Sequence, residues 1–307
     1  MTALAYAVTA CPACGAAAFV GTGPEAPGCD ASFGDRRFLQ PPYSVHDCLT
    51  CGLLYKTQTL SAAELDAYYA RVDFRKWEMP GHFPTERAAL ALLRTLPRGA
   101  RLLDFGCSSG RLLAPLVRDY ECSGFEINAE AAQAAAAKGI KMLARDFLER
   151  GEPDSFDAAV LVDVFEHLST PTDLLRELFR LVKPGGLLVV VTGNGDTRAC
   201  RLDPAQFWYF RNVEHLIMLT RRHTGFLAME LGVQLVVWRE LSHYETPWRE
   251  HAYQCARHFA FWQFQHRTLL AKTLLPLLPI LNRARAWEVA PAYTASADHV
   301  LAVFQKQ

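Results

Sequence analysis

Four cysteines are paired by type and spacing. Cys11-Pro-Ala-Cys14-Gly15 and Cys48-Leu-Thr-Cys51-Gly52 are turns in which two residues separate two thiols and a glycine follows. Such a turn aims both sulfurs at one point, and the glycine supplies the open backbone conformation the turn needs. Four thiolates form the closed tetrahedral set that structural zinc takes. No coordination position is left for a substrate, so the expected contribution is local folding energy and not catalysis. A redox pair would stand singly beside a βαβ unit, which neither pair does. Cys29, between the pairs, reads as a bystander.

A second group of residues sits where apolar runs end. Leu102-Leu-Asp-Phe-Gly-Cys-Ser-Ser-Gly110 is a strand closing on Asp104, followed by a glycine-bearing turn. A carboxylate there repels a pyrophosphate but accepts from an ammonium, which points to an amino-acid-like ligand end; Gly106 and Gly110 let a ligand approach the backbone. Glu126 closes the next apolar run, Cys122-Ser-Gly-Phe125-Glu126, where a carboxylate can take both hydroxyls of a ribose. Asp146, with the Phe147 amide beside it, can accept from an exocyclic adenine amine. Asp163 ends a fourth run, followed by Phe165-Glu-His167, and Lys183-Pro-Gly-Gly186 opens a fifth.

These residues need a scaffold of alternating elements. Strands are expected at 101–105, 121–126, 141–144, 158–162, 186–192 and 234–238, with a last one at 299–304, and helices between them. That alternation is the signature of βα units and a parallel sheet. Upstream, Ser61 with Glu64 three residues later forms a capping-box pattern that starts a helix, and a second helix is expected over 85–96. The expected fold is α/β: a Rossmann-like seven-stranded, mostly parallel sheet with helices on both faces, plus a small zinc-ribbon-like module. The expected division is 1–58 for the zinc module, 59–98 for a helical lid or linker, and 99–307 for the main domain, with a helical insertion at about 247–290.

Asp104-Phe-Gly-Cys-Ser-Ser-Gly110, Glu126, Asp146, the Phe165-Glu-His167 stretch and Lys183-Pro-Gly-Gly186 together resemble the ordered motifs of class I S-adenosylmethionine-dependent methyltransferases. The N-terminal cysteines and the Tyr68-Tyr69 pair resemble a subgroup carrying a zinc knuckle, frequent in sugar, surface-polysaccharide and natural-product pathways. Ser108 departs from the pattern, standing where glycine is frequent. The resemblance implies that Asp104, Gly106, Cys107 and Gly110 line the methionine moiety, that Phe125 and Glu126 hold the ribose side, that Asp146 and Phe147 meet adenine, and that Asp163 lies near the sulfonium. Tyr68 and Tyr69 are expected to form a lid over the cofactor.

An oxygen nucleophile also needs a general base. His215, in Arg211-Asn-Val-Glu-His215, follows the fifth strand at the end where such sheets bind ligands. It is the expected base, with Glu214 as runner-up and His243 and His82 behind. The aromatic run 206–210 is expected to line the acceptor pocket, flanked by Arg198, Arg201 and Arg211, which suits an anionic or sugar-linked small-molecule acceptor. O-methylation is favoured slightly over N- or C-methylation. The competing readings are a non-catalytic cofactor-binding partner in a biosynthetic complex and a nicotinamide oxidoreductase; the missing GxGxxG turn argues against the latter.

Composition limits the rest. The chain has 307 residues, with 32 Lys and Arg against 32 Asp and Glu, so no basic stripe marks a nucleic-acid partner. The first twenty residues hold no Lys or Arg, so no secretory signal is read and a cytoplasmic location is expected. The leucine-rich stretch at 268–281 is broken by Pro276 and Pro279 and is too short to span a bilayer. The insertion that contains it is expected to cap the pocket or form a homodimer face, with a membrane surface as the other option.

Overall fold

Short alternating runs with Gly and Pro between them give strands in the first sixty residues. The computed structural model describes residues 6–33 and 36–307; the side chains of Pro24, residues 29–39 and Trp77 lie outside the description, and with them the expected bystander Cys29. β1 (Phe19–Ala26), β2 (Tyr43–Cys48) and β3 (Leu54–Lys56) pair antiparallel. Ser61 then caps α1 (Ala62–Tyr69): its hydroxyl accepts from the Glu64 amide at 3.3 Å while the Glu64 carboxylate accepts from the Ser61 amide at 3.0 Å. α2 (Pro84–Leu93) starts on a proline, which the first helical turn tolerates.

The alternating segment delivers the expected sheet. In chain order come β4 (Arg101–Phe105), β5 (Glu121–Phe125), α3 (Ala129–Ala137), β6 (Lys141–Met142), β7 (Phe156–Val162), α4 (Pro171–Leu181) and β8 (Val182–Gly193). They are followed by β9 (Ile217–Met218), α5 (Arg221–Leu231), β10 (Val233–Leu241), α6 (Trp248–Gln265) and β11 (His299–Lys306). Seven strands lie in the order β6-β5-β4-β7-β8-β11-β10, all parallel except β11, which is antiparallel to both neighbours. Strand order reverses between β4 and β7, and a crevice opens beyond their carboxyl ends. Phe165–His167 is a single 3-10 turn, and the helix that follows starts with Pro171 at its first position.

The N-terminal strands pair with a strand of the later segment. β9 pairs antiparallel with β3, Ile217 opposite Tyr55 and Met218 opposite Leu54, so one four-stranded sheet crosses the boundary expected at residue 58. Cys11, Cys48, Cys51, Leu53 and Tyr55 share one hydrophobic core with Leu161, Leu175, Phe179 and Leu188 of the central sheet and α4. Side chains stitch the same seam: Thr172 donates to the Ala13 carbonyl at 2.8 Å and Thr220 to the Gly52 carbonyl at 2.7 Å.

A shared core predicts shared unfolding. Leu53 is fully buried, and Leu53→Ala is expected to lower stability by about 2–5 kcal/mol. Far-UV circular dichroism and tryptophan fluorescence should report that loss in one common transition. Two separable transitions, only one of them shifted, would show that the N-terminal sheet folds by itself.

Candidate functional site

The four predicted thiols converge. Cys11 and Cys51 sulfurs lie 3.5 Å apart, Cys14 and Cys48 sulfurs 3.6 Å, and all four fall within 4.8 Å of one another. A tetrahedral ion with Zn–S bonds of about 2.3 Å needs sulfurs about 3.8 Å apart, so the donor set fits zinc. Gly15 and Gly52 hold φ of +70° and +77°, and their amides close the turns onto the Cys11 and Cys48 carbonyls at 2.8 Å. Gly52 is doubly constrained, because a Cβ there would meet the Arg222 Cγ at 2.6 Å.

The second site is a cavity of about 940 Å³ at the carboxyl ends of β4, β5 and β7. The β4 turn is built by unusual backbone. Gly106 holds φ of +77° and a Cβ there would lie 2.6 Å from Val164. Ser108 adopts φ of +46°, the left-handed conformation that explains why glycine is frequent at this position. Glu126 ties the turn to the next loop, accepting from the Ser108 amide at 2.9 Å and the Asn128 amide at 2.8 Å. Its carboxylate keeps further lone pairs for a ligand.

Charge in this cavity is one-sided. Among the described residues its walls carry Asp66, Glu78, Glu86, Asp104, Glu126, Asp163, Glu166 and Glu214, against Lys76 and Arg111 as the permanently charged cations. Burial lifts the Asp104 carboxyl to about 8, and the nearby carboxylates of Glu126 and Glu86 add to the shift. Such a wall fits a ligand bearing a sulfonium and an ammonium.

Histidines meet these acids in two clusters. Asp163 (φ +52°) pairs His299 at 3.3 Å, and His299 pairs Asp298 at 3.2 Å. Burial alone would lower the His299 pKa, but the two aspartates carry it to about 10, so His299 stays protonated and offsets one of the two carboxylate charges. His243 stacks on His299 at 4.6 Å. In the other cluster, the fully buried Glu166 accepts from the Tyr209 hydroxyl and from Thr192 Oγ1, the latter at 2.7 Å. His167 Nδ1 lies 2.7 Å from the Tyr69 hydroxyl and 3.0 Å from the Glu214 carbonyl. His215 Nδ1 lies 2.6 Å from the Tyr209 carbonyl. A carbonyl only accepts, so Nδ1 carries the proton and Nε2 the lone pair. Burial holds His215 well below the ordinary histidine range, with the charge of His167 adding to it, which keeps the ring neutral.

The sequence-predicted residues divide by place. Asp104, Gly106, Cys107, Phe125, Glu126, Asp163, Tyr69, Glu214 and His215 all line the cavity. Gly110, Asp146 and Phe147 do not. Gly110 is needed for packing, since a Cβ there would strike Ile140 and lie 3.0 Å from that of Ala135. Asp146 pairs with Arg150 at 3.1 Å, and Phe147 packs its ring on Phe125 at 5.1 Å. Tyr68 is buried beneath Tyr69. Of the expected arginines, Arg201 pairs with Asp47 and Asp196, Arg211 donates to the Ala290 carbonyl, and neither they nor Arg198 line the cavity. His82 contacts the Arg111 carbonyl, 3.1 Å away. Sequence reasoning missed Asp298, His299, Glu86 and Arg111. The available signal for the first two was an Asp-His pair opening the final strand.

A family model described as a methyltransferase domain matches residues 71–236. Among curated proteins, the chain is similar to a ubiquinone biosynthesis O-methyltransferase of Caulobacter sp. (strain K31), 34% identical over 123 residues that cover 36% of this chain and 47% of the relative. It is also similar to a 2-methyl-6-phytyl-1,4-hydroquinone methyltransferase of Synechocystis sp. (strain ATCC 27184 / PCC 6803 / Kazusa), 34% identical over 45% of each protein. The chain thus spans about half the length of these relatives. A chain in the solved complex of the Haloferax volcanii Trm112 methyltransferase activator shares the fold, with a TM-score of 0.53 at 18% identity over 79% of this chain and 97% of that one.

The raised Asp104 carboxyl makes cation binding pH-dependent. Below about 8 the empty site holds a proton there, and a bound ammonium favours the carboxylate, so binding releases that proton. S-adenosylmethionine affinity is therefore expected to rise with pH from 6 towards 8 and then level off. Calorimetry at neutral pH in buffers of different ionisation enthalpy should register the released proton, and Asp104→Asn should abolish the release and weaken binding about tenfold or more. An affinity flat with pH in the native protein would remove Asp104 from the ligand.

Proposed function

The chain belongs to the methyltransferase-domain family, and from that premise we propose that it transfers a methyl group from S-adenosylmethionine to a hydroxyl of a small-molecule acceptor. The observation that carries the reading is the neutral His215, its Nδ1 proton committed to a main-chain carbonyl, on the wall of a carboxylate-rich cavity. Bound S-adenosylmethionine supplies an electrophilic methyl on a sulfonium. The protein's part is to hold both reactants in line, exclude water and remove a proton.

Asp104 would take the ammonium, with Gly106 and Cys107 beside it, and Glu126 the ribose hydroxyls, with Phe105 and Phe125 as apolar walls. Asp163 is kept ionised: burial opposes the charge, but His299 more than offsets it and holds the pKa below the ordinary range. A fixed carboxylate there favours a nearby sulfonium. On the acceptor side stand Trp208, Tyr209, Phe83, Tyr244 and Met79. Their aromatic character and the surplus of acids suit a neutral, partly apolar molecule with a phenol-like hydroxyl better than a carboxylate or a nucleotide-linked sugar. The names of both curated relatives refer to quinone-type molecules, which supports this choice. His215 would accept the hydroxyl proton at Nε2, and Glu166 would fix Tyr209, whose carbonyl orients the His215 ring. Zinc on Cys11, Cys14, Cys48 and Cys51 would be structural.

His215→Ala is expected to lower kcat by about 10²–10⁴ while leaving S-adenosylmethionine affinity within twofold. The acid limb of the native pH–rate profile should fall below the ordinary histidine range, because burial depresses this ring's pKa. Full turnover by the variant would displace His215 as the base. Cofactor binding with no S-adenosylhomocysteine released from any phenolic or polyol acceptor would favour a non-catalytic partner. Metal analysis of the purified chain should find a single zinc, absent from the double variant Cys11→Ser with Cys48→Ser; a metal-free native protein that keeps its stability would refute the zinc centre.

A further inference from the structure

The insertion between β10 and β11 buries less of itself than its composition allows. α6 carries a small core of Phe261, Ala271, Leu275 and Ala284, and Pro276 and Pro279 break the following chain into short turns. Ala271 and Leu275 pin those turns down. Their neighbours Leu269, Leu274, Leu277, Leu278 and Ile280 face outward, between 49% and 77% exposed. Isolated exposed leucines are ordinary, but five within twelve residues of one anchored segment mark an interaction surface.

Charge says what the surface meets. From His251 to Trp287 the chain holds Arg257, Arg267, Lys272, Arg283 and Arg285 and no Asp or Glu. Among the described residues none of Arg267, Lys272, Arg283 and Arg285 is paired with a carboxylate, and all four are exposed. A second copy of this chain would fit poorly, since a two-fold interface would set these cations against themselves. A spanning segment is ruled out by length, because no helix among the described residues is long and apolar enough to cross a membrane. Apolar side chains flanked by basic ones suit the headgroup boundary of a bilayer, where leucines enter the acyl edge and Lys and Arg meet anionic lipid.

We infer that the 269–280 face of the insertion docks on an anionic membrane surface, lying in its plane. The inference rests on the insertion alone and stands apart from the methyl-transfer reading. The same insertion is tied to the cavity wall. The Ala290 amide donates to Gln206 at 3.3 Å and its carbonyl accepts from Arg211 at 3.0 Å, on either side of the cavity residues Trp208 and Tyr209.

Co-sedimentation of the full chain with vesicles tests this, comparing pure phosphatidylcholine with phosphatidylcholine carrying about one third phosphatidylglycerol. The bound fraction is expected to be several-fold higher on the anionic vesicles and to fall as salt rises. The triple variant Leu269→Glu, Leu277→Glu, Ile280→Glu should lose binding while its circular dichroism and S-adenosylmethionine affinity match the native protein. Lys272→Gln with Arg283→Gln and Arg285→Gln should erase the preference for anionic lipid. No vesicle binding by the native chain, or equal binding by the triple glutamate variant, would overturn the proposal. So would light scattering that shows a native dimer which that variant dissociates, since a second copy would then cover the face.

Discussion

A buried carboxylate is unstable until donors or a cation meet it, and the carboxyl end of the central sheet gathers more carboxylates than its own cations can neutralise. The protein resolves part of the excess locally. Asp163 and Asp298 share the His299 imidazolium. Glu166 is held by two hydroxyls, and Glu86 pairs with Arg111 at 2.7 Å. Glu126 accepts two backbone amides. Asp104 is left with its raised pKa, at the end of the strand where an open α/β sheet receives its ligand. The unneutralised residue and the topological switch point coincide.

How much of this was legible follows from how local each feature is. The cysteine turns, the strand-terminal acids and the Ser61–Glu64 box were readable because each is fixed within a few residues by turn or cap geometry. Asp146 was expected to end a strand over 141–144, but β6 is only two residues long and the carboxylate lies 3.1 Å from Arg150. Gly110 was read as letting a ligand approach the backbone; its packing on Ala135 of α3 and on Ile140 just beyond that helix is invisible in a linear motif. His299 escaped for a topological reason. β11 alone runs antiparallel, so its first residue lies opposite Gly193 at the carboxyl end of β8. A residue that begins a strand in sequence thus faces a site otherwise built from strand ends.

The boundary expected at residue 58 reads differently once pairing is known. Sequence divides a cysteine-rich segment from an α/β segment because their patterns differ. Hydrogen bonding joins them, because the short β9 needs a partner and β3 provides one. A two-residue strand has little stability alone; its register is set by Leu54 and Tyr55, which the cysteine turn holds in place.

That pairing places the cysteine turns one step from the proposed base. The Lys56 amide donates to the Leu216 carbonyl at 2.9 Å, and the fully buried Lys56 ammonium donates to the Asn212 carbonyl at 2.7 Å while lying over the Tyr43 ring. The Leu216 amide in turn donates to the Glu166 carbonyl at 2.7 Å. The loop bearing Glu214 and His215 is therefore clamped on one side by the residue two positions after β3 begins and on the other by the fourth-strand turn. A base must sit within hydrogen-bond reach of the proton it removes, and here the clamp that sets its position depends on the sheet that the four thiols anchor. A cysteine cluster outside the cavity can thus bear on the position of the proposed base through register alone.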